Sequence, residues 1–157
     1  MSFNIDMLKC LGMNIRFRRL HPDAAIPEYK TPGSVAFDLA LVEDVIIQPR
    51  SMEKVRTGLV IEAPKGHALL LASRSSNPVK KGIDLANSIG IIDEDYCGPE
   101  DELFLVLQNL TDDIVRLSKG DRIAQGLFVP VTKGTFIEVP AQDLANENRG
   151  GHGSTGR

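Results

Sequence analysis

The apolar residues of this chain fall in short runs that never sustain the spacing of a helix face, and this excludes most folds at once. Ile15–Phe17, Val45–Ile47, Leu59–Ile61, Ala68–Leu71, Leu103–Leu107, Ile123–Val131 and Phe136–Val139 are brief and rich in branched side chains, so each reads as a strand. Between them stand Thr31-Pro32-Gly33, Gln48-Pro49-Arg50, Ala63-Pro64-Lys65-Gly66, Thr111-Asp112-Asp113 and Lys119-Gly120-Asp121. Proline presets φ, glycine admits a positive φ, and Asp bonds its own backbone, so these are turns. Short strands joined by tight turns bury their apolar faces by closing or stacking sheets. The expectation is an all-β domain, a jelly-roll sandwich or barrel. One helical turn is expected at Asn77–Lys81, with Ser76 or Asn77 as its cap, Pro78 near its start and Gly82 as its stop.

At 157 residues the chain suits one domain with a real core and is too short for two. Residues 1–12 read as an N-terminal extension, 13–140 as the β domain, and 141–157 as a polar linker followed by a glycine-rich arm. The net charge of −3 argues against a surface that works by neutralising nucleic-acid phosphates. An anionic ligand would have to be met by a local cluster of arginines and amides. Cys10 and Cys97 are isolated thiols without metal-ligand spacing, and His21 and His67 stand among turn residues, which makes both structural. No apolar run approaches membrane-spanning length, and the first residues lack the pattern of a signal peptide, so the expected location is the cytoplasm.

Two stretches suit an anion. The C-terminal Asn148-Arg149-Gly150-Gly151-His152-Gly153-Ser154-Thr155-Gly156 holds four glycines around an Arg, a Ser and a Thr. Glycine gives up much backbone entropy on ordering, so this segment builds no core. It can wrap an anion and present backbone N–H groups, two hydroxyls and a guanidinium. Ser73-Arg74-Ser75-Ser76 ends an apolar run just before the helical turn, offering a cation, hydroxyls and free amides together.

A further stretch, Asn87 through Gly98, offers a base. Asp93 follows Ile89-Gly90-Ile91-Ile92, so its carboxylate is expected to leave a buried strand at a turn, where it could be held as a general base. Asp93-Glu94-Asp95 is equally an acidic turn facing solvent, and Tyr96 a packed aromatic with a wet hydroxyl. In Gly120-Asp121-Arg122-Ile123-Ala124-Gln125 the glutamine could orient a water or a phosphate oxygen. Residue types alone do not name the substrate.

These stretches, in this order, resemble the five motifs of the trimeric deoxyuridine triphosphate nucleotidohydrolases, the dUTPases. Gly33-Ser34-Val35-Ala36-Phe37-Asp38-Leu39 is similar to the first, with Phe37 where a Tyr is common. Arg74-Ser75-Ser76 is similar to the second, Asn87–Gly98 to the third, Gly120–Gln125 to the fourth and Gly151–Gly156 to the fifth. In the fifth, His152 replaces the usual Phe, and the arm is slightly short between Arg149 and the glycine pair.

The resemblance implies a jelly-roll subunit in a homotrimer whose three sites are each built from all three chains. It implies Mg²⁺-assisted hydrolysis of dUTP to dUMP and pyrophosphate, with Asp93 as base and Gln125 placing the water. Arg74, Ser75 and Ser76, with Arg149, Gly153, Ser154 and Thr155 of the arm, would hold the triphosphate. Asn87, Gly90, Ile91 and Ile92 of a Lys81–Ile92 hairpin would read the uracil edge, His152 would stack on the base, and Tyr96 would lie against the sugar. Mg²⁺ would ride on phosphate oxygens and waters with no direct protein ligand, Asp38 serving as an outer-shell acceptor. Two alternatives remain at this point. One is a deoxycytidine triphosphate deaminase of the same fold; the other is a nucleotide-binding trimer without turnover.

Overall fold

The computed structural model describes residues 13–144. The extension and the glycine-rich arm, and with them Arg149, His152, Gly153, Ser154 and Thr155, lie outside the described residues.

Among the described residues eleven strands run in chain order: β1 Phe17–Arg19, β2 Phe37–Ala40, β3 Val45–Ile47, β4 Met52–Arg56, β5 Leu59–Ile61, β6 His67–Ser73, β7 Ile83–Leu85, β8 Ile89–Ile92, β9 Phe104–Asn109, β10 Val115–Leu117 and β11 Arg122–Pro130. They form a four-stranded sheet in the order β2-β11-β6-β8, a three-stranded sheet β4-β9-β7, and the pairs β1-β5 and β10-β3. All pairings are antiparallel. The architecture is the all-β jelly roll expected from the alternation of runs and turns.

Alternation along the strands builds the core. In β9, Leu105 and Leu107 point inward while Val106 faces out, and in β3 Val45 and Ile47 flank an exposed Ile46. Leu39, Ile47, Leu59, Leu69, Leu71, Ile83, Leu107 and Ile123 pack there with almost no exposure. Burying each such side chain stabilises the fold by about 1.5–3 kcal/mol. Polar residues are also fully buried there, Asn109 among them. Asn109 donates to the carbonyls of Ile47, Gln48 and Asp113, and its Oδ1 accepts from the N–H and hydroxyl of Thr111, so its burial is satisfied.

Several expectations need correction. Phe136–Val139 is no strand: Phe136 and Ile137 are exposed, and the segment joins no sheet among the described residues. The cause lies upstream. β11 pairs with β6 as far as Pro130 opposite His67, Val131 donates to the Gly66 carbonyl, and β6 then has no residue left to offer. Lys81–Ile92 is not a paired hairpin either, because β7 pairs with β9 while β8 pairs with β6. The turn between them is tight, with Ser88 in the left-handed region at φ 60. Asn77–Lys81 is helical, as expected, but it is one wide turn closed by the Gly82 N–H on the Asn77 carbonyl. Ser76 stands at its head without a side-chain cap bond, and Asn77 is inside it, donating to Ile123 O at 2.5 Å. Strands β2, β4 and β10 escaped the run-based reading, being short or interrupted by charge.

Candidate active site

An irregularity in β11 builds the first half of the site. Opposite β2, Arg122 pairs with Ala40 but Ala124 pairs with Leu39, so Ile123 is an extra residue in the ladder. A bulge of this kind breaks strict alternation. Ile123 and Ala124 are consecutively buried, and Arg122 and Gln125, three apart in sequence, emerge into the same pocket. Gln125 stands opposite Asp38 on β2 and opposite Ala72 on β6. A cavity of about 270 Å³ results, lined by Ser34, Asp38, Arg74, Ser75, Ser76, Arg122 and Gln125, with Lys30 at its margin.

Its electrostatics are set by one carboxylate between two cations. Asp38 Oδ1 lies 3.1 Å from Arg74 Nε and Oδ2 lies 2.8 Å from Arg122 Nη1. Arg74 Nη1 also donates to the Arg122 carbonyl at 3.1 Å. Asp38 offsets part of the charge and orients both guanidinium planes, so the pocket is a preorganised anion site with hydroxyls of Ser34, Ser75 and Ser76 around it. The attraction comes from these arginines; the neighbouring helical turn is too short to supply a significant dipole.

The second half of the site lies elsewhere in the same chain. Gly90, Ile91 and Ile92 of β8, with Asn87 before them, line a cleft of about 130 Å³. Asp93 and Tyr96 line an adjoining cavity of about 300 Å³ with Ile91, Ile92, Lys54 and Phe104. Within its sheet β8 is an edge strand. Its outer backbone donors and acceptors are therefore free to pair with a planar edge. Gly90 is required by packing as well, since a Cβ there would stand 3.0 Å from the Leu71 Cβ.

The two halves stand well apart within one chain. β8 runs against β6 with Ile92 opposite Leu69, which places Asp93 level with Ala68. Arg74 follows the far end of the same strand. At a strand rise near 3.3 Å per residue the two are about 20 Å apart. Asp93 and Gln125, on opposite flanks of β6, are separated by about 16 Å on the same basis.

Two folded halves with the five motifs in order meet the family comparison directly. The dUTPase family profile matches residues 22–156. The chain belongs to the dUTPase family. A deoxyuridine 5'-triphosphate nucleotidohydrolase of Helicobacter pylori (strain J99 / ATCC 700824) is 40% identical over 144 residues, covering 92% of this chain and 97% of the relative. The crystal structure of a dUTPase from Streptococcus mutans shares 34% identity at a TM-score of 0.69, covering 75% of this chain and 98% of that one. A Staphylococcus bacteriophage 80alpha dUTPase bearing dUpNHpp superposes at a TM-score of 0.81 with 23% identity, over 92% of this chain and 99% of that one, and supports the fold.

Within these dUTPase motifs the structure separates groups that line the cavities from buried scaffolding. Asp93 does not leave a buried strand: Ile89 and Ile91 are 53% and 68% exposed, and Asp93 itself is exposed. Alternation explains this: Ile89 and Ile91 share the open face of β8, while Gly90 and Ile92 turn toward the core. Its carboxylate makes no bond among the described residues, whereas Glu94 is engaged. Glu94 accepts from Lys133 Nζ at 2.6 Å and from the Gly66 N–H at 2.7 Å, and these contacts hold its carboxyl below the usual range. Glu94 thus pins the acidic turn and leaves Asp93 free. The Tyr96 hydroxyl is not simply wet; it donates to the Glu102 carbonyl at 3.1 Å.

Phe37 of the first motif is a core residue, 4% exposed, packed against Tyr29 and Phe128. Its ring lies over Gly126, where a Cβ would come within 2.6 Å of it. Asp121 of the fourth motif turns from the pocket and bonds Lys81 Nζ at 2.8 Å and the Ser118 N–H at 3.2 Å. His21 and His67 take local turn contacts, with the Asp23 N–H and the Lys65 carbonyl.

Sequence reasoning passed over Arg122 and Lys30 in the anion pocket. Arg122 was legible as a motif member, but only the bulge turns it inward; nothing in the sequence marks Lys30. For metal, no cluster of three or more His, Cys, Asp or Glu side chains occurs among the described residues. Asp38 already carries an arginine on each oxygen. This donor set fits a hard cation that arrives on its anion and keeps its waters, with Asp38 beyond them.

Proposed function

We propose that this protein hydrolyses dUTP to dUMP and pyrophosphate in the cytoplasm, as a homotrimer with shared sites. The observation that carries the reading is the separation of the arginine pocket from Asp93 by about 20 Å along β6. Each half is incomplete, and a symmetric ring joins the arginine pocket of one subunit to the Asp93 edge of its neighbour.

In such a site the triphosphate lies on Arg74, Ser75, Ser76 and Arg122, and Arg149, Ser154 and Thr155 of a third chain's arm close over it. Backbone groups of Gly90, Ile91 and Ile92, with Asn87, pair with the uracil edge; cytosine presents the opposite pattern and leaves them unpaired. Tyr96 lies against the deoxyribose and His152 covers the base. Asp93 takes a proton from a water held by Gln125 as the water oxygen bonds to the α-phosphorus. The bond to the α,β-bridging oxygen breaks, and pyrophosphate leaves against the guanidinium groups. Mg²⁺, carried on the phosphates with Asp38 beyond its waters, would screen their charge.

Product analysis in ¹⁸O-water tests this. The expected result is equal dUMP and pyrophosphate with the label in dUMP. Ammonia release, label in pyrophosphate, or tight binding without turnover would each overturn it.

A further inference from the structure

Residues between β8 and β9 follow no ladder, yet one carbonyl in that stretch, that of Glu102, receives the Tyr96 hydroxyl at 3.1 Å. What fixes this acceptor is the side chain of the same residue. Glu102 is 5% exposed, and its carboxylate accepts from Arg56 Nε at 3.1 and 3.2 Å, from Arg56 Nη2 at 2.9 Å and from the Gly58 N–H at 2.8 Å. The next carbonyl, Leu103 O, is taken by the fully buried Thr57 hydroxyl at 2.6 Å.

Arg56 ends β4 where Phe104 opens β9, the two being register partners. The strand end is therefore rigid, and the ion pair passes that rigidity to an otherwise irregular loop. Buried carboxylates are costly unless fully bonded. Here the bonds converge so that residue 102 has one backbone orientation. Tyr96, 39% exposed, presents its ring to the cavity it shares with Asp93 and Ile91.

We propose that Arg56 and Glu102 are positioning residues that set the tilt of the Tyr96 ring and thereby the exclusion of a ribose 2′-hydroxyl. This rests on the reading of Tyr96 as the sugar-facing residue. A hydroxyl on the ring would otherwise swing with the loop, and a loose ring makes room for an added oxygen. Arg56 lies outside the lining of the Tyr96 cavity and Glu102 borders it; both act through the hydrogen bond that the Glu102 carbonyl accepts from the Tyr96 hydroxyl.

The test is the ratio of kcat/KM for dUTP to that for UTP, which a change in the folded fraction does not move, with Tm recorded alongside. Wild type, Glu102→Gln, Arg56→Lys, Tyr96→Phe and the double variant Tyr96→Phe/Glu102→Gln are compared. Glu102→Gln is expected to narrow the ratio by about tenfold, and Arg56→Lys, which keeps the charge, by less. Tyr96→Phe should narrow it as well, and the double variant should be no worse than Tyr96→Phe alone. Ratios within about twofold of wild type, or additive losses in the double variant, overturn the positioning role. If Glu102→Gln fails to fold, unchanged ratios in Arg56→Lys and Tyr96→Phe overturn it equally. A wild type that hydrolyses dUTP without preferring it to UTP overturns the sugar reading itself, and one that leaves dUTP intact overturns the proposed activity.

Discussion

Asp38 Oδ1 stands 3.1 Å from Arg74 Nε, so the guanidinium of the second motif is aimed by the carboxylate of the first. Asp38→Asn preserves shape and removes the charge that orients Arg74 and Arg122. Hydrogen bonds to charged groups contribute about 1.5–3 kcal/mol. The expected loss in kcat/KM for dUTP is therefore about 10- to 100-fold. Steady-state kinetics within about twofold of wild type would show that the arginines orient themselves.

Asp93→Asn should leave the fold intact, because the Asp93 carboxylate makes no hydrogen bond or ion pair among the described residues and Glu94 pins the turn. Turnover should fall by about 10²–10⁴, the usual worth of a general base, while a non-hydrolysable dUTP analogue still binds. Calorimetry and kinetics on one preparation separate the two. A variant that binds poorly and turns over normally once saturated would make Asp93 a binding group.

The strand-and-turn rhythm made the fold class legible, and the five motifs made the halves of the site legible. What stayed hidden depends on pairing partners. Ile123 reads as an ordinary strand residue, yet its bulge decides that Arg122 and Gln125 share a pocket. Ile89-Gly90-Ile91-Ile92 reads as buried because it is apolar, yet alternation leaves Ile89 and Ile91 exposed and only Gly90 and Ile92 face the core. Phe136–Val139 has strand composition, but β6 ends before it can pair. Composition records what a segment prefers, and the neighbour's length decides whether the preference is met.

Asp121 ties the start of β11 to the helical turn through Lys81. Partial burial would raise its pKa, but the Lys81 ammonium and the Ser118 N–H outweigh that and hold it below its ordinary value. A depressed carboxyl contributes stability that is complete above its unfolded pKa, near 3.9, and is lost as pH falls through the lower folded value. Asp121→Asn should therefore be less stable than wild type at neutral pH and should lose less on acidification below about pH 4. Urea midpoints at neutral and acid pH check this; parallel acid losses in both proteins would show that the contact does not couple to folding.

Removing residues 148–157 should leave folding intact, since the buried core of the described residues lies between Ala24 and Ala124. Activity should nonetheless fall steeply, because the glycine-rich sequence suits closure over the triphosphate and contributes no core. Thermal melting and dUTP turnover of the truncated chain give the two readings. Normal hydrolysis by that chain would remove the arm from the mechanism.

The separation of Arg74 from Asp93 makes the strongest prediction. If each site takes Arg74 from one chain and Asp93 from another, two inactive variants can repair each other. Arg74→Ala and Asp93→Asn chains are prepared separately and assayed alone, where each should be nearly inactive. They are then mixed in equal amounts, unfolded and refolded together so that subunits redistribute. In random trimers a given site draws an intact Arg74 with a probability of about one half and, from a different chain, an intact Asp93 with the same probability. About one quarter of the sites are then wild type at both positions, and activity should return to about that fraction. If both residues acted within one chain, every site in the mixture would keep one lesion and refolding would restore nothing. Activity that stays at the level of the separate variants, in a mixture shown by mass spectrometry to contain mixed oligomers, would overturn the shared site.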